Sequence, residues 1–286
     1  MTSDRRDAAA GTPAPARSIS RAGRDLPTAI VVGAVLLVVI AASLFVVKAA
    51  FVVLVLAAIS LAVWELKAAL ATRGVVLPVW SVLAGGVAMP LGAYLGGADA
   101  MVVAAALTVL LIGLLRMASG STGYVRDVTA GVFTAAYVPF LACFVLLMLR
   151  PDDGPSRVVT FILVTIASDI GGYATGALFG RHPMAPKVSP KKSWEGFAGS
   201  AVSCALVGWA TVVYLLDGPW WAGVLLGLAA VVSATLGDLA ESMMKRDLGI
   251  KDMGTLLPGH GGLMDRLDSL LATVPVAWMI LYWLVP

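Results

Sequence analysis

Charge is scarce in this chain. Only 13% of its 286 residues are Asp, Glu, Lys or Arg, and 59% are hydrophobic. A soluble domain carries about 25% charged residues, so composition excludes that class and indicates a membrane protein, in line with a mean hydropathy of +0.93. Histidine is scarcer still. With two histidines in the whole chain, a histidine-based zinc site is not available. The two cysteines, Cys143 and Cys204, lie in apolar runs far from any CxxC spacing. They read as small core residues, which excludes a disulfide framework or a metal knuckle. No Walker A sequence occurs and no GxGxxG follows a strand, so a soluble-type nucleotide fold is ruled out. The formal net charge is only +3 and the basic residues form short clusters, which argues against a nucleic-acid partner and for membrane-orienting loops.

What is present is a series of long apolar runs behind a polar tail. Residues 1–25 are Ala/Gly/Pro-rich with interspersed Arg and Asp, a composition that buries too little apolar surface to order itself, so a disordered cytoplasmic tail is expected. The apolar run that follows is too long for a signal-peptide core and is read as the first span. Nine segments approach the ~20 apolar residues that cross a bilayer, near 26–47, 49–70, 76–96, 99–115, 128–149, 157–179, 197–216, 219–240 and 269–285. Backbone groups in lipid must be satisfied within their own segment, so the prediction is an all-α polytopic membrane protein of about nine transmembrane helices. The third segment carries Gly85, Gly86, Pro90, Gly92, Gly96 and Gly97, which predicts a kinked or closely packed helix.

Lys and Arg are distributed unequally between alternate loops. With the tail placed inside, the inside regions hold 17 of them and the outside regions only Lys48, Arg150 and Arg157. This bias predicts a cytoplasmic N-terminus and puts the polar loops near residues 181–196 and 241–268 on the cytoplasmic side. The helices over 26–155 show no legible chemistry and are expected to act as support, a lipid-holding wall or the face of a homodimer. Residues 156–286 form the expected catalytic region.

Polar residues concentrate at three places. Ser168-Asp169-Ile170-Gly171-Gly172-Tyr173 puts a carboxylate midway along the sixth span. At that depth it faces a wet cavity or a partner, and is either functional or part of an interhelical hydrogen bond. Lys187-Val188-Ser189-Pro190-Lys191-Lys192-Ser193-Trp194-Glu195-Gly196 has the makings of a phosphate cradle, with Ser193 as the cap of the seventh helix. The plainer reading is a positive-inside loop with an interfacial Trp. In the third cluster Asp238, Glu241 and Lys245 lie at i, i+3 and i+7, and Asp265 and Asp268 at i and i+3 beyond a Gly-bearing loop. Each set shares one helical face. Two facing helices would bring up to four carboxylates together. Such a cluster repels itself unless a cation intervenes, and oxygen-rich ligation suits Mg²⁺. A salt-bridge network through Lys245 and Arg266 is the structural alternative.

Ser242-x-Met244-Lys245-Arg246, four residues, then Lys251-Asp252-x-Gly254-x-x-Leu257-Pro258-x-His260-Gly261-Gly262-Leu263-x-Asp265-Arg266-Leu267-Asp268 resembles the signature of the phosphatidate cytidylyltransferase (CDP-diacylglycerol synthase) family at every fixed position. The stretch from Ser189 to Gly196 and the surroundings of Asp169 look like two further blocks of that family. The resemblance covers roughly 160–270 closely and the other spans in hydropathy. It implies transfer of the cytidylyl group of CTP to phosphatidate, with Mg²⁺ on Asp238, Asp265 and Asp268, and allows a second, monovalent cation such as K⁺.

The residue chemistry suits that reaction. Phosphatidate already carries an ionised phosphate oxygen, so no Ser-His-Asp or Cys-His constellation is required. What remains is positioning and charge neutralisation. Lys191, Lys192, Lys245 and Arg266 are the expected phosphate contacts, with Lys192 in the catalytic set and Ser193 beside the substrate. Asp169, Glu241 and His260 are expected to orient substrate or support the metal. Rival readings are a CTP-dependent cytidylyltransferase for another membrane lipid and a CTP-dependent polyprenol kinase. A transporter would instead show an internal repeat and acids at mid-membrane, and neither is evident.

Overall fold

A computed structural model of the chain describes residues 38–254 and 261–286. The tail over residues 1–25, the start of the first expected span and His260 lie outside the described residues. Seven helices among the described residues are long and apolar enough to span a membrane. They are α1 (Lys48–Ala71), α2 (Val79–Met117), α3 (Tyr124–Leu149), α4 (Gly154–Phe179), α5 (Trp194–Leu215), α6 (Trp220–Leu248) and α7 (Met264–Leu284). A further helical stretch over 38–45 precedes α1. Leu95, Leu107, Leu110, Tyr214 and Trp283 are exposed. Apolar surface on this scale belongs in hydrocarbon and not in water. The chain is an all-α, multi-pass membrane protein.

The expected nine segments do not appear as nine separate helices, and the reason is local. The third and fourth expected spans lie in one 39-residue element, α2, broken at Gly97 (φ 80°, ψ −159°). A Cβ on Gly85 would collide with the Thr108 side chain, and one on Gly92 would lie 3.1 Å from the Ala100 carbonyl oxygen. Residues so distant in a straight helix meet because the chain doubles back at Gly97, a conformation that glycine adopts at no steric cost. Small residues then let the two arms pack closely. In α3, a π-helical turn over Ala136–Phe140 contains Pro139, whose missing N–H and ring volume disturb the α-helical ladder.

Contacts at the turns define two ends of the bundle. At one end Lys48 donates to the Pro151 carbonyl at 2.8 Å, and the Arg150 guanidinium packs against Gly97. Arg157 at this end donates to the Leu281, Val285 and Pro286 carbonyls at 2.6, 3.2 and 3.1 Å. At the opposite end Arg116 grips the fully buried Asp127 through Nε and Nη2 at 3.0 and 2.9 Å. The Val76 N–H adds a third bond to Asp127 at 3.1 Å. Arg73 reaches the Asp247 carbonyl there.

Helices α4 to α7 pack in sequence against one another, and α7 closes against α3 through Phe144 and Trp278, 5.3 Å apart. Between α6 and α7 the approach is tight: a Cβ on Gly237 would lie 2.5 Å from the Asp268 carbonyl oxygen. The link between α4 and α5 departs from the all-helical plan. Strands β1 (Pro183–Ala185) and β2 (Ser189–Ser193) pair antiparallel, with Pro183 opposite Ser193 and Ala185 opposite Ser189.

Candidate active site

The last four helices deliver their polar residues to one end of the bundle, the end that also carries Asp127. Strand β2 carries Lys191 and Lys192 into the N-terminus of α5. Ser193 caps that helix as the sequence predicts, its Oγ accepting the Gly196 N–H at 3.1 Å. Ser200 on α5 donates to the Ser168 carbonyl of α4 at 2.6 Å, so the Asp169 turn is tied to the helix that follows the two lysines.

Two adjoining cavities result. One, of about 320 Å³, is bounded by hydroxyls, glycines and cations, among them Ser168, Gly172, Ser189, Lys191, Lys192 and Thr235. The second, of about 560 Å³, is acid-rich: Asp169, Asp238, Glu241, Asp265 and Asp268 line it together with Lys245, Lys251, Asp252 and Arg266. Asp169, Tyr173, Asp238 and Ser269 border both. The carboxylates of α6 and α7 line one cavity, but they do not meet at a single point as the two-helix spacing suggested. Every sequence-predicted site residue among the described residues borders one of these two cavities.

The carboxylates are held mainly by ammonium groups and backbone N–H. Lys192 Nζ, on the first cavity, sits 2.5 Å from Oδ2 of Asp238, which borders both. Lys245 Nζ lies 2.6 Å from Glu241 Oε2 and 2.8 Å from Asp265 Oδ1, joining α6 to α7. The other oxygen of Asp265 accepts the Met253 and Gly262 N–H groups at 2.9 and 3.0 Å. Asp268 accepts the Ser269 N–H at 2.6 Å. Glu241 is fully buried, and its Oε1 has no hydrogen-bond partner among the described residues. Among the described residues no three His, Cys, Asp or Glu side chains converge closely enough to hold a metal ion. Lysines stand on the oxygens instead.

One residue of this region escaped the sequence reading. Glu65, in the C-terminal part of the apolar α1, accepts the Leu263 N–H at 3.0 Å and the Met264 N–H at 2.8 Å. The signal was available, since a carboxylate inside an apolar run is costly and seldom idle. Asp252 and Lys251 belong to the quoted signature but had no assigned role, and both border the acid-rich cavity.

Comparison with known proteins finds relatives along nearly the whole chain. A phosphatidate cytidylyltransferase of Mycobacterium bovis is 44% identical over 96% of this chain and 97% of its own length. One from Mycobacterium leprae is 42% identical over 93% of this chain and 90% of its own length. A more distant one, from Haemophilus influenzae, is 38% identical over 48% of this chain and 51% of its own length. The profile of the cytidylyltransferase family matches residues 27–284. A match of that extent leaves one conclusion: the chain belongs to the cytidylyltransferase family.

Proposed function

We propose that this chain is a phosphatidate cytidylyltransferase, transferring the cytidylyl group of CTP to phosphatidate and releasing pyrophosphate. The observation that carries the reading is the 44% identity to phosphatidate cytidylyltransferases along nearly the whole chain. In the reaction a phosphate oxygen of phosphatidate forms a bond to the α-phosphorus of CTP. The bond from that phosphorus to the bridging oxygen breaks, and pyrophosphate leaves with the electron pair. No proton has to be removed from the nucleophile, which fits a site built of cations and carboxylates.

The two cavities suit two anionic substrates meeting at Lys192. Lys191 and Lys192 on β2 offer charge to phosphates, and β2 ends where the N–H groups of α5 begin, itself a favourable place for an anion. Lys245 and Arg266 serve the same purpose from the acid-rich side, with Arg266 suited to a bidentate grip. Asp169 and Glu241 orient and support these groups. A phosphate arriving at Lys192 competes with Asp238 for its ammonium.

Asp238, Asp265 and Asp268 are the residues proposed to hold Mg²⁺. In kind the donors fit: all are oxygens on one cavity, with Glu241 Oε1 buried beside them and without a partner among the described residues. The charge that Lys192 and Lys245 now neutralise is charge a divalent ion can neutralise when the lysines turn to phosphate. Bound there, Mg²⁺ supplies charge neutralisation to the triphosphate. We place the protein in the cell membrane with this end cytoplasmic, on the Lys and Arg bias of the loops.

The test is turnover by detergent-purified protein with phosphatidate and CTP carrying ³²P at either the α or the γ position, with EDTA controls. Label from α-labelled CTP in the lipid, lost with EDTA, is the expected result. Transfer of only the γ label would make the protein a lipid kinase and overturn the reading.

A further inference from the structure

We propose that Glu65 is a positioning residue for the reaction, through which the first half of the chain sets the metal-binding and triphosphate-binding face of α7. The inference rests on the cytidylyltransferase reading above. Helix α7 begins with no cap of its own: Leu263 precedes it and offers no side-chain acceptor. The first N–H groups of a helix must nevertheless be satisfied. Glu65 does this from α1, across 198 and 199 residues of sequence, with one carboxylate oxygen for the Leu263 N–H and the other for the Met264 N–H.

The surroundings are shaped to this carboxylate. Gly254 and Gly262 lie against it, and no larger residue fits. A Cβ on Gly262 would come within 2.7 Å of Glu65 Oε2 and 2.6 Å of the Gly254 nitrogen, and one on Gly254 would collide with Glu65 Oε1. Beside the two N–H groups held by Glu65, the Gly262 N–H is taken by Asp265 at 3.0 Å. Asp265 also takes the Met253 N–H, on the strand of chain that includes Gly254. Glu65 is thus one bond removed from Asp265: it holds the backbone whose other N–H groups orient that carboxylate. Glu65 is itself only 9% exposed, so it contacts neither substrate and acts through the start of α7. The carboxylate also adds negative charge at the positive end of the helix, the favourable sense of that interaction.

A purely structural cap would alter stability alone. A positioning residue alters what the site binds, and supports of this kind around metal ligands are typically worth about 10- to 100-fold in metal affinity or activity. Glu65→Gln keeps the volume but turns an amide NH₂ toward one of the two N–H groups. Two readouts are compared with wild type: kcat and KM in the labelling assay across a Mg²⁺ titration, and the rise in Tm that Mg²⁺ with CTP produces in the detergent-purified protein without lipid. The expected result is a roughly tenfold or larger loss of kcat, a half-saturating Mg²⁺ concentration raised about tenfold, and a smaller Tm rise at fixed ligand. Asp127→Asn serves as the comparison, since it removes a buried carboxylate of the same bundle end whose bonds run to Val76, Arg116 and Arg126. It should lower Tm and leave the Mg²⁺ requirement unchanged. Gly262→Ala presses on Glu65 from the other side and must shift the Mg²⁺ requirement in the same direction, which keeps the test intact should Glu65→Gln fold poorly. Wild-type Mg²⁺ dependence in either folded variant, or a shift equal to that of Asp127→Asn, overturns the proposal. An inactive wild-type protein would instead overturn the cytidylyltransferase reading.

Discussion

Replacing Asp265 by Asn separates the two services this carboxylate performs. One oxygen receives Lys245 at 2.8 Å, and the other receives the Met253 and Gly262 N–H groups at 2.9 and 3.0 Å. An amide can serve only one side. If its oxygen stays with the two backbone groups, its NH₂ meets the Lys245 ammonium and a charge-assisted bond is lost, at about 1.5–3 kcal/mol. In the reverse orientation two backbone donors go unsatisfied, at roughly 1–3 kcal/mol each, so the first arrangement is preferred. Lys245 keeps Glu241 at 2.6 Å, and the fold should survive. A contribution of about 2–3 kcal/mol from the Asp265 charge to holding Mg²⁺ and triphosphate in the transition state corresponds, when lost, to about 30- to 150-fold in kcat/KM. Removal of a metal-binding charge adds a requirement for more Mg²⁺. The assay is transfer of α-³²P label to lipid at saturating and at limiting Mg²⁺, with Tm measured in parallel. Activity within about threefold of wild type at limiting Mg²⁺, in a protein with unchanged Tm, would refute both the metal role and the energetic reasoning, since roughly 0.7 kcal/mol could not contain that contribution.

Other expected outcomes follow from the same geometry. Lys192→Met, which leaves Asp238 Oδ2 without the ammonium now 2.5 Å away, should raise the KM for CTP or phosphatidate at least about tenfold; steady-state kinetics with each substrate varied will show it. Asp127→Asn removes the buried carboxylate that pairs with Arg116 and Arg126 and should cost about 1–3 kcal/mol of stability, read as a fall in Tm. Gly237→Val forces apart α6 and α7 where Gly237 faces the Asp268 carbonyl. Overpacking of that kind costs about 1–3 kcal/mol and should depress kcat with little change in KM if it displaces Asp268; unchanged kcat would show that the spacing of these helices is not critical.

Much of this architecture is legible in the chain because a bilayer leaves few options. A run such as Phe51–Leu70 can satisfy its backbone in hydrocarbon only as a helix, and the i, i+3 spacing of Asp265 and Asp268 then puts both on one face whatever surrounds them. The capping of α5 by Ser193 is equally local, needing only a hydroxyl three residues before Gly196. Gly97 illustrates the limit of such reasoning. Its glycine-rich context suggested a kink, while the full reversal depends on Thr108 and Ala100 packing into the space that Gly85 and Gly92 leave open.

Composition, apolar run length, helical periodicity and the signature over 242–268 were enough to establish a multi-pass helical membrane protein of the cytidylyltransferase family and to nominate the acids and lysines of its site, because each of these properties is local in sequence. The tertiary structure decided what lies between distant residues: that Lys192 pairs with Asp238, that Lys245 ties α6 to α7, and that Glu65 of α1 caps α7. These contacts join residues 46, 20 and nearly 200 positions apart. No periodicity encodes them, since a side chain's partner across such a separation is set by how whole helices pack.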